Sequence, residues 1–122
     1  MKKSNYQAGR LAENLAKIIL FLKGYKILDS NFITGRGTNA GEIDIIAKKS
    51  NYIVFVEVKK RTSLEDAAYS ISNMQKQRIS NGAKSYIAQD NNNQNCNYRF
   101  DAFLFDKKLK FKHIKNAWLL DF

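Results

Sequence analysis

The sequence holds one cysteine and one histidine, and its longest wholly apolar run, Ile18 to Leu22, is five residues. A lone cysteine, Cys96, excludes an internal disulfide, and no Cys or His cluster is present to bind zinc. His113 stands far along the chain from Asp44 and Glu57 and is read as surface or core filler, neither ligand nor base. Five apolar residues fall far short of a membrane span. Met1-Lys2-Lys3 resembles the start of a secretion signal, but Glu13 and Asn14 interrupt the stretch after it, so no cleavable signal is expected. A reducing, cytoplasmic setting is the expectation.

Positive charge, by contrast, is abundant. Lys and Arg number 21 against 11 Asp and Glu, a formal charge of +10 on 122 residues. That excess attracts polyanions without dictating a fold. The length suits one domain, 1–122, and the apolar content excludes wholesale disorder.

The spacing predicts a helix from Asn5 to Leu22, capped by Ser4 with Gln7 at the capping-box position and ended by Gly24. Ala8, Leu11, Ala12, Leu15, Ile18, Ile19 and Leu22 are expected on its buried face. Glu13 and Lys17, four apart, suit a surface ion pair. Tyr25 to Ile33 reads as a strand interrupted by Asp29, Ser30 and Asn31. A glycine-bearing loop, Thr34 to Gly41, does not match a phosphate-binding loop. Glu42–Ala47 and Tyr52–Lys59, separated by a short polar turn, read as an antiparallel hairpin. Alternation puts Val54, Val56 and Val58 on one face and Ile53, Phe55, Glu57 and Lys59 on the other. In the first strand Ile43 and Ile45 are expected to share a face opposite Glu42, Asp44 and Ile46. Ser63 with Asp66 is a second capping box. A helix comes next, from Asn73 to Gln89, with a stripe of Met74, Ile79, Ala83, Tyr86 and Ile87. Strands at Tyr98–Phe105 and Leu109–Ile114 complete the pattern, and the tail from Ala117 to Phe122 is apolar enough to dock. The fold class expected is α/β, a mixed four- to five-stranded sheet flanked by helices.

The hairpin needs explaining, because bare charges are expensive inside apolar strands. Asp44 and Glu57 lie on neighbouring strands, and two converging carboxylates repel unless a divalent cation sits between them. All-oxygen ligands suit Mg²⁺ or Mn²⁺. Lys59, two residues from Glu57, shares its face and can orient a water or offset charge building on a phosphate. A plain cross-strand ion pair is the competing reading.

Gly41-Glu42-Ile43-Asp44-Ile45-Ile46-Ala47 followed by Val54-Phe55-Val56-Glu57-Val58-Lys59-Lys60-Arg61 resembles the signature of the bacterial UPF0102 (YraN-like) family. That family belongs to the restriction-endonuclease-like PD-(D/E)xK superfamily and is similar to Holliday-junction resolvases. Gly9-x-x-x-Glu13, Gly24-Tyr25 with Asn31, and Arg99-Phe100-Asp101 extend the likeness over nearly the whole chain. The resemblance implies a restriction-endonuclease-like fold. It also implies that Asp44 and Glu57 bind the metal, that Lys59 is the superfamily lysine, and that Glu13 completes the metal shell. The Val58 carbonyl, between Glu57 and Lys59, is a further candidate ligand. Gln75-Lys76-Gln77 resembles the helix whose Gln or Lys faces the site. Two features depart from the pattern. Ile43 replaces the superfamily proline, and the stretch Thr62 to Ala67 lacks an expected glycine.

The expected activity is Mg²⁺- or Mn²⁺-dependent hydrolysis of DNA phosphodiesters, with branched or structured DNA the substrate implied by family likeness. The catalytic set is Asp44, Glu57, Lys59 and Glu13, and a homodimer would set two sites on two strands. Arg36, Lys48, Lys49, Lys60, Arg61, Lys76 and Arg78 form the expected phosphate-binding rim. Glu42, bordering a loop, is expected to be a solvated acid, with a role at the metal's edge as the alternative. The alternatives are a nucleic-acid-binding protein with a nuclease fold that does not cut, or a structural or interaction module. Lys107, Lys108, Lys110, Lys112 and Lys115 are read as guards of an edge strand. Asp101 is read as structural, holding a loop or Arg99.

Overall fold

The computed structural model describes residues 2–35, 37, 40–89 and 95–119, with side chains from residue 9 onward. The order is α1 (Lys2–Leu22), β1 (Lys26–Thr34), β2 (Gly41–Lys49), β3 (Tyr52–Lys60), α2 (Leu64–Tyr69), α3 (Asn73–Gln89), β4 (Asn97–Phe105) and β5 (Phe111–Trp118). The sheet has five strands in sequence order. Only β3 and β4 run parallel, and the crossover between them carries α2 and α3. This is the mixed, helix-flanked α/β arrangement expected of a restriction-endonuclease-like chain.

Two layers of core explain the alternating strands. On one face Ala12, Ala16 and Leu20 of α1 pack on Ile45, Ala47, Val54, Val56, Phe103 and Phe105. On the other, Ile79 and Ala83 of α3 pack on Ile43, Ile46, Ile53, Phe55 and Phe100. Phe55 is wholly buried, and a side chain of that size contributes about 2–3 kcal/mol by leaving water. Beside α3, Ala67 of α2 covers Ala102 and Leu104.

Several boundaries differ from the sequence reading, each for a local reason. α1 begins at Lys2, so Ser4 lies inside the helix and does not cap it. Gly24 does end it, at φ 95, and Tyr25 N–H closes back onto the Leu20 carbonyl at 2.9 Å. The inward stripe of α1 is narrower than expected, since Leu11, Ile18 and Leu22 face outward. Small Ala12 and Ala16 let the helix lie close to the sheet. Met74, expected in the α3 stripe, is exposed, whereas Ile79 and Ala83 are buried. Ser63 caps α2 as expected, accepting from the Asp66 amide at 3.1 Å. The last strand starts later, at Phe111. Asp106 accepts from the amides of Lys108 and Lys110 and prolongs the turn, in which Leu109 takes a φ of 65. Ala117 and Trp118 finish that strand, and the rest of the expected tail from Leu120 onward lies outside the described residues. β5 is indeed an edge.

The face assignment in β2 is corrected in a way that matters for the site. Ile43 joins Ile46 on the α3 side, while Ile45 joins Ala47 on the α1 side. The β2–β3 ladder stops at Ile45 opposite Val56. Beyond it strict alternation no longer holds, and the side chain of Asp44 takes over from the backbone by accepting the Val58 amide at 2.8 Å.

Candidate active site

Where β2 and β3 part, α1 and α3 wall off a cleft of about 700 Å³. Glu13, Asp44, Glu57, Val58 and Lys59 all line it. Each arrives by a different route. α1 presents Glu13 one residue after the buried Ala12. β2 presents Asp44 at the point of splaying, and β3 presents Glu57, Val58 and Lys59 in succession. α3 is drawn close by a contact between backbones. A Cβ on Gly41 would collide with the amide of Gly82, so only glycine lets the start of β2 touch the helix.

The electrostatics are unusual for a five-stranded core. Glu57 is 8% exposed. Burial, then the charge of Asp44 and a hydrogen bond with it, push its carboxyl up to about 9 against the opposing pull of Lys59. Lys59 Nζ stands 3.2 Å from Glu57 Oε2, so the two do share a face. Glu13 is also raised, first by burial and then by Asp44, with Lys17 and a hydrogen bond from Asn31 working against the shift. The tight unit is therefore Asp44, Glu57 and Lys59, and Glu13 feels it from α1. Among the described residues no three His, Cys, Asp or Glu side chains form a closed metal cage of their own.

The donor chemistry nonetheless suits a hard cation. Two carboxylates converge in a buried cleft, where burial and the charge of Asp44 raise Glu57, and the carboxylate and carbonyl groups that could ligate an ion there all offer oxygen. One Asp44 oxygen is engaged by the Val58 amide, which fixes the carboxylate in place.

The basic rim is split. Lys60, Arg61 and Arg78 line the cleft, Arg78 reaching to 4.0 Å from the exposed Glu42 at its mouth. Lys48 does not. It sits with Lys26, Lys49 and Asp29 in a separate hollow of about 810 Å³ at the other end of the hairpin. Lys48 is four residues from Asp44 along one strand, roughly 13 Å. Lys76 is also displaced, its ammonium lying 5.8 Å from the centre of the Trp118 ring. Arg36 lies outside the described residues.

One contributor, Asn31, escapes the sequence reading as a site residue, while Gln75 faces the cleft as the family likeness implies. Asn31, at φ 54 in β1, holds Glu13; the polar break it makes in an otherwise apolar strand is the available signal, since asparagine tolerates the left-handed region. Gln75 lines the cleft and is fixed there by a reciprocal cap. Its Oε1 accepts from Ser72 N–H at 3.2 Å, and its own amide donates to Ser72 Oγ at 3.1 Å. The Ser-x-x-Gln spacing announces that cap.

His113 is neither surface nor filler. Its side chain is 3% exposed, and it bonds Asp101 through Nε2 at 2.7 Å. Asp101 is structural, as expected, and is gripped by Arg99 at 2.8 and 2.9 Å.

The sequence pattern of the "Uncharacterised protein family UPF0102" matches residues 12–105. A UPF0102 protein of Paramagnetospirillum magneticum is 40% identical over 113 residues, spanning 93% of this chain and 88% of the relative. One from Nitrobacter winogradskyi is 38% identical over 118 residues, 97% of either chain. Another, from Bradyrhizobium diazoefficiens, is 39% identical over 113 residues, 93% of this chain and 82% of the relative.

Proposed function

This chain belongs to the uncharacterised protein family UPF0102, and from that premise we propose that it is a metal-dependent endonuclease hydrolysing DNA phosphodiesters, with branched or structured DNA as its substrate class. The observation that carries the reading is the buried Asp44–Glu57 pair, whose burial and mutual repulsion lift Glu57 to about 9 in a cleft rimmed by cations. Structural acids are normally given their counter-charges by the chain; this pair is short of them.

Asp44, Glu57 and the Val58 carbonyl would hold Mg²⁺ or Mn²⁺, with Glu13 closing the shell from α1. Such an ion, when bound, supplies Lewis-acid polarisation of the phosphate and a more acidic water. The chain's own groups do the rest. The Val58 amide keeps Asp44 from rotating. Lys59, anchored on Glu57, directs its remaining N–H bonds into the cleft, where they orient a water and offset the charge that grows on phosphorus-bound oxygens. Lys60, Arg61 and Arg78 hold the flanking phosphates and position the strand without reading its bases. Gln75, locked by its cap, offers its amide NH₂ at the cleft wall.

Nicking of supercoiled plasmid and cleavage of a four-way junction in Mg²⁺ or Mn²⁺ test the reading. Activity is expected in the wild type, with a loss of at least about a hundredfold in Asp44→Asn and Glu57→Gln and retained DNA binding. A second reading, a nuclease-fold protein that binds nucleic acid without cutting it, is favoured by the lack of a closed metal cage among the described residues. It prevails if wild type binds these DNAs but cuts none of them with either metal. No helix among the described residues is long and apolar enough to cross a membrane.

A further inference from the structure

We infer that the opposite end of the sheet carries a second phosphate-binding surface, formed by Lys23, Lys49 and Lys115, which holds a nucleic-acid backbone away from the cleft. The inference rests on the nucleic-acid reading of the cleft, but it comes from a separate set of contacts.

Three elements bring these lysines together. Lys23 directly follows α1, Lys49 ends β2, and Lys115 belongs to the bulged part of β5. Lys49 Nζ donates to the Lys23 carbonyl at 2.7 Å and lies 5.2 Å from the centre of the Tyr25 ring. Lys23 Nζ donates to His113 Nδ1 at 2.6 Å. Next along β5 from Lys115, the Asn116 amide donates to Asp101 Oδ1 at 3.0 Å, which pins that bulge beside the cluster.

The cluster is not neutralised from within. Asp101 is the carboxylate facing it, and Arg99, His113 and the Asn116 amide already enclose that group. Lys23, Lys115 and Arg99 thus share one buried acid, and the exposed Asp29 beside Lys49 has Lys26 and Lys48 in the same hollow. Lys23 is held below the ordinary lysine range, first by burial and then by repulsion from Lys115 and Lys49. The carbonyl end of α1 accounts for Lys49. It does not account for a third ammonium brought in from the far edge of the sheet. A polyanion relieves the repulsion, and a phosphate backbone supplies several negative charges at once.

The spacing suits one ligand touching both ends. Lys49 is five residues from Asp44 on β2, roughly 17 Å. That is the axial rise of about five base pairs, with one phosphate of each strand for every 3.4 Å of helix axis.

The test is the salt dependence of binding to a duplex of about 20 base pairs, read by fluorescence anisotropy in KCl and EDTA. Lys49→Gln/Lys115→Gln spares Lys23 and its bond to His113. We expect this variant to bind about tenfold more weakly, with a log–log salt slope shallower by about 1–2, and the double arginine variant to restore both. Unchanged affinity and slope overturn the inference. So does a wild type that fails to bind duplex at low salt, or a variant that loses only its binding to phosphatidylglycerol vesicles. If the slope falls but no DNA is ever cut, the second surface stands and the endonuclease reading fails. Should the double variant not fold, exposed Lys115→Glu alone carries the test, with a smaller drop in affinity expected and no change counting against the inference.

Discussion

Two acids are buried on neighbouring strands of one sheet, and the chain treats them in opposite ways. Asp101, on β4, is fully enclosed, yet it lies below its usual carboxylate range. Burial alone would raise it, but hydrogen bonds from His113, Arg99 and the Asn116 amide more than offset that effect. Glu57, on β3, is nearly as buried, and its closest polar neighbours are another acid and one lysine. Its carboxyl is driven the other way, to about 9. The difference lies in who supplies the counter-charge. Around Asp101 the fold supplies it in full. Around Glu57 it supplies one ammonium for two carboxylates, and leaves an open cleft beside them.

The contrast breaks most sharply at Asp101. Asp101→Ala removes the centre of a network and strands Arg99 and His113, so denaturant unfolding should show a loss of about 3–5 kcal/mol. Asp101→Asn, which keeps the shape, should recover only part of it. A loss below about 1 kcal/mol for Asp101→Ala would mean the enclosure is not structural.

Gly41→Ala attacks the frame of the other site. Its methyl group meets the backbone of Gly82, and the strand and helix must separate. A loss of about 1–3 kcal/mol is expected by overpacking, together with loosening of the cleft wall that carries Gln75 and Arg78. Amide hydrogen exchange at the N-terminal half of α3 reads that loosening directly.

Glu57→Gln should act in the opposite sense. In metal-free protein it removes a carboxyl that the fold does not want ionised, and stability at pH 8 should rise by about 1 kcal/mol. The sign comes from linkage. A carboxyl at 4.5 when unfolded and about 9 when folded keeps its proton in the native state across that window. The native state then binds more protons than the unfolded one, so stability falls as pH rises from about 4.5 to 9. Thermal denaturation in EDTA at several pH values should show that decline in wild type and a flatter profile in Glu57→Gln. Asp101 predicts the reverse slope at acid pH, because its stabilisation is lost as pH falls through its depressed value.

Much of this arrangement is legible in the residues. The β3 alternation sets Glu57 and Lys59 on one face because every position from Ile53 to Val58 is buried and the period is unbroken. In β2 the same rule misplaces Ile43, because the ladder to β3 stops at Ile45 and beyond it β2 is held by β1 alone, with Ile43 opposite Phe32. That interruption also creates the site. Nearness in sequence suggests Lys48 for the rim, but four residues of strand carry it to the other end. Lys76 turns instead to Trp118, a contact across the sheet that no local pattern encodes. His113 is hidden for a similar reason. Its partners, Lys23 and Asp101, come from the turn after α1 and from β4, and a single histidine in a charged strand gives no hint of them.

On the proposed reading, Asp44 and Glu57 bind a divalent cation in the cleft. Calorimetric titration with Mn²⁺ at pH 7.5, repeated in buffers of different ionisation enthalpy, tests it by counting protons. Saturable binding with about one proton released is expected, lost in Asp44→Asn and, for the proton, in Glu57→Gln. Binding that releases no proton, or that survives unchanged in both variants, would contradict it.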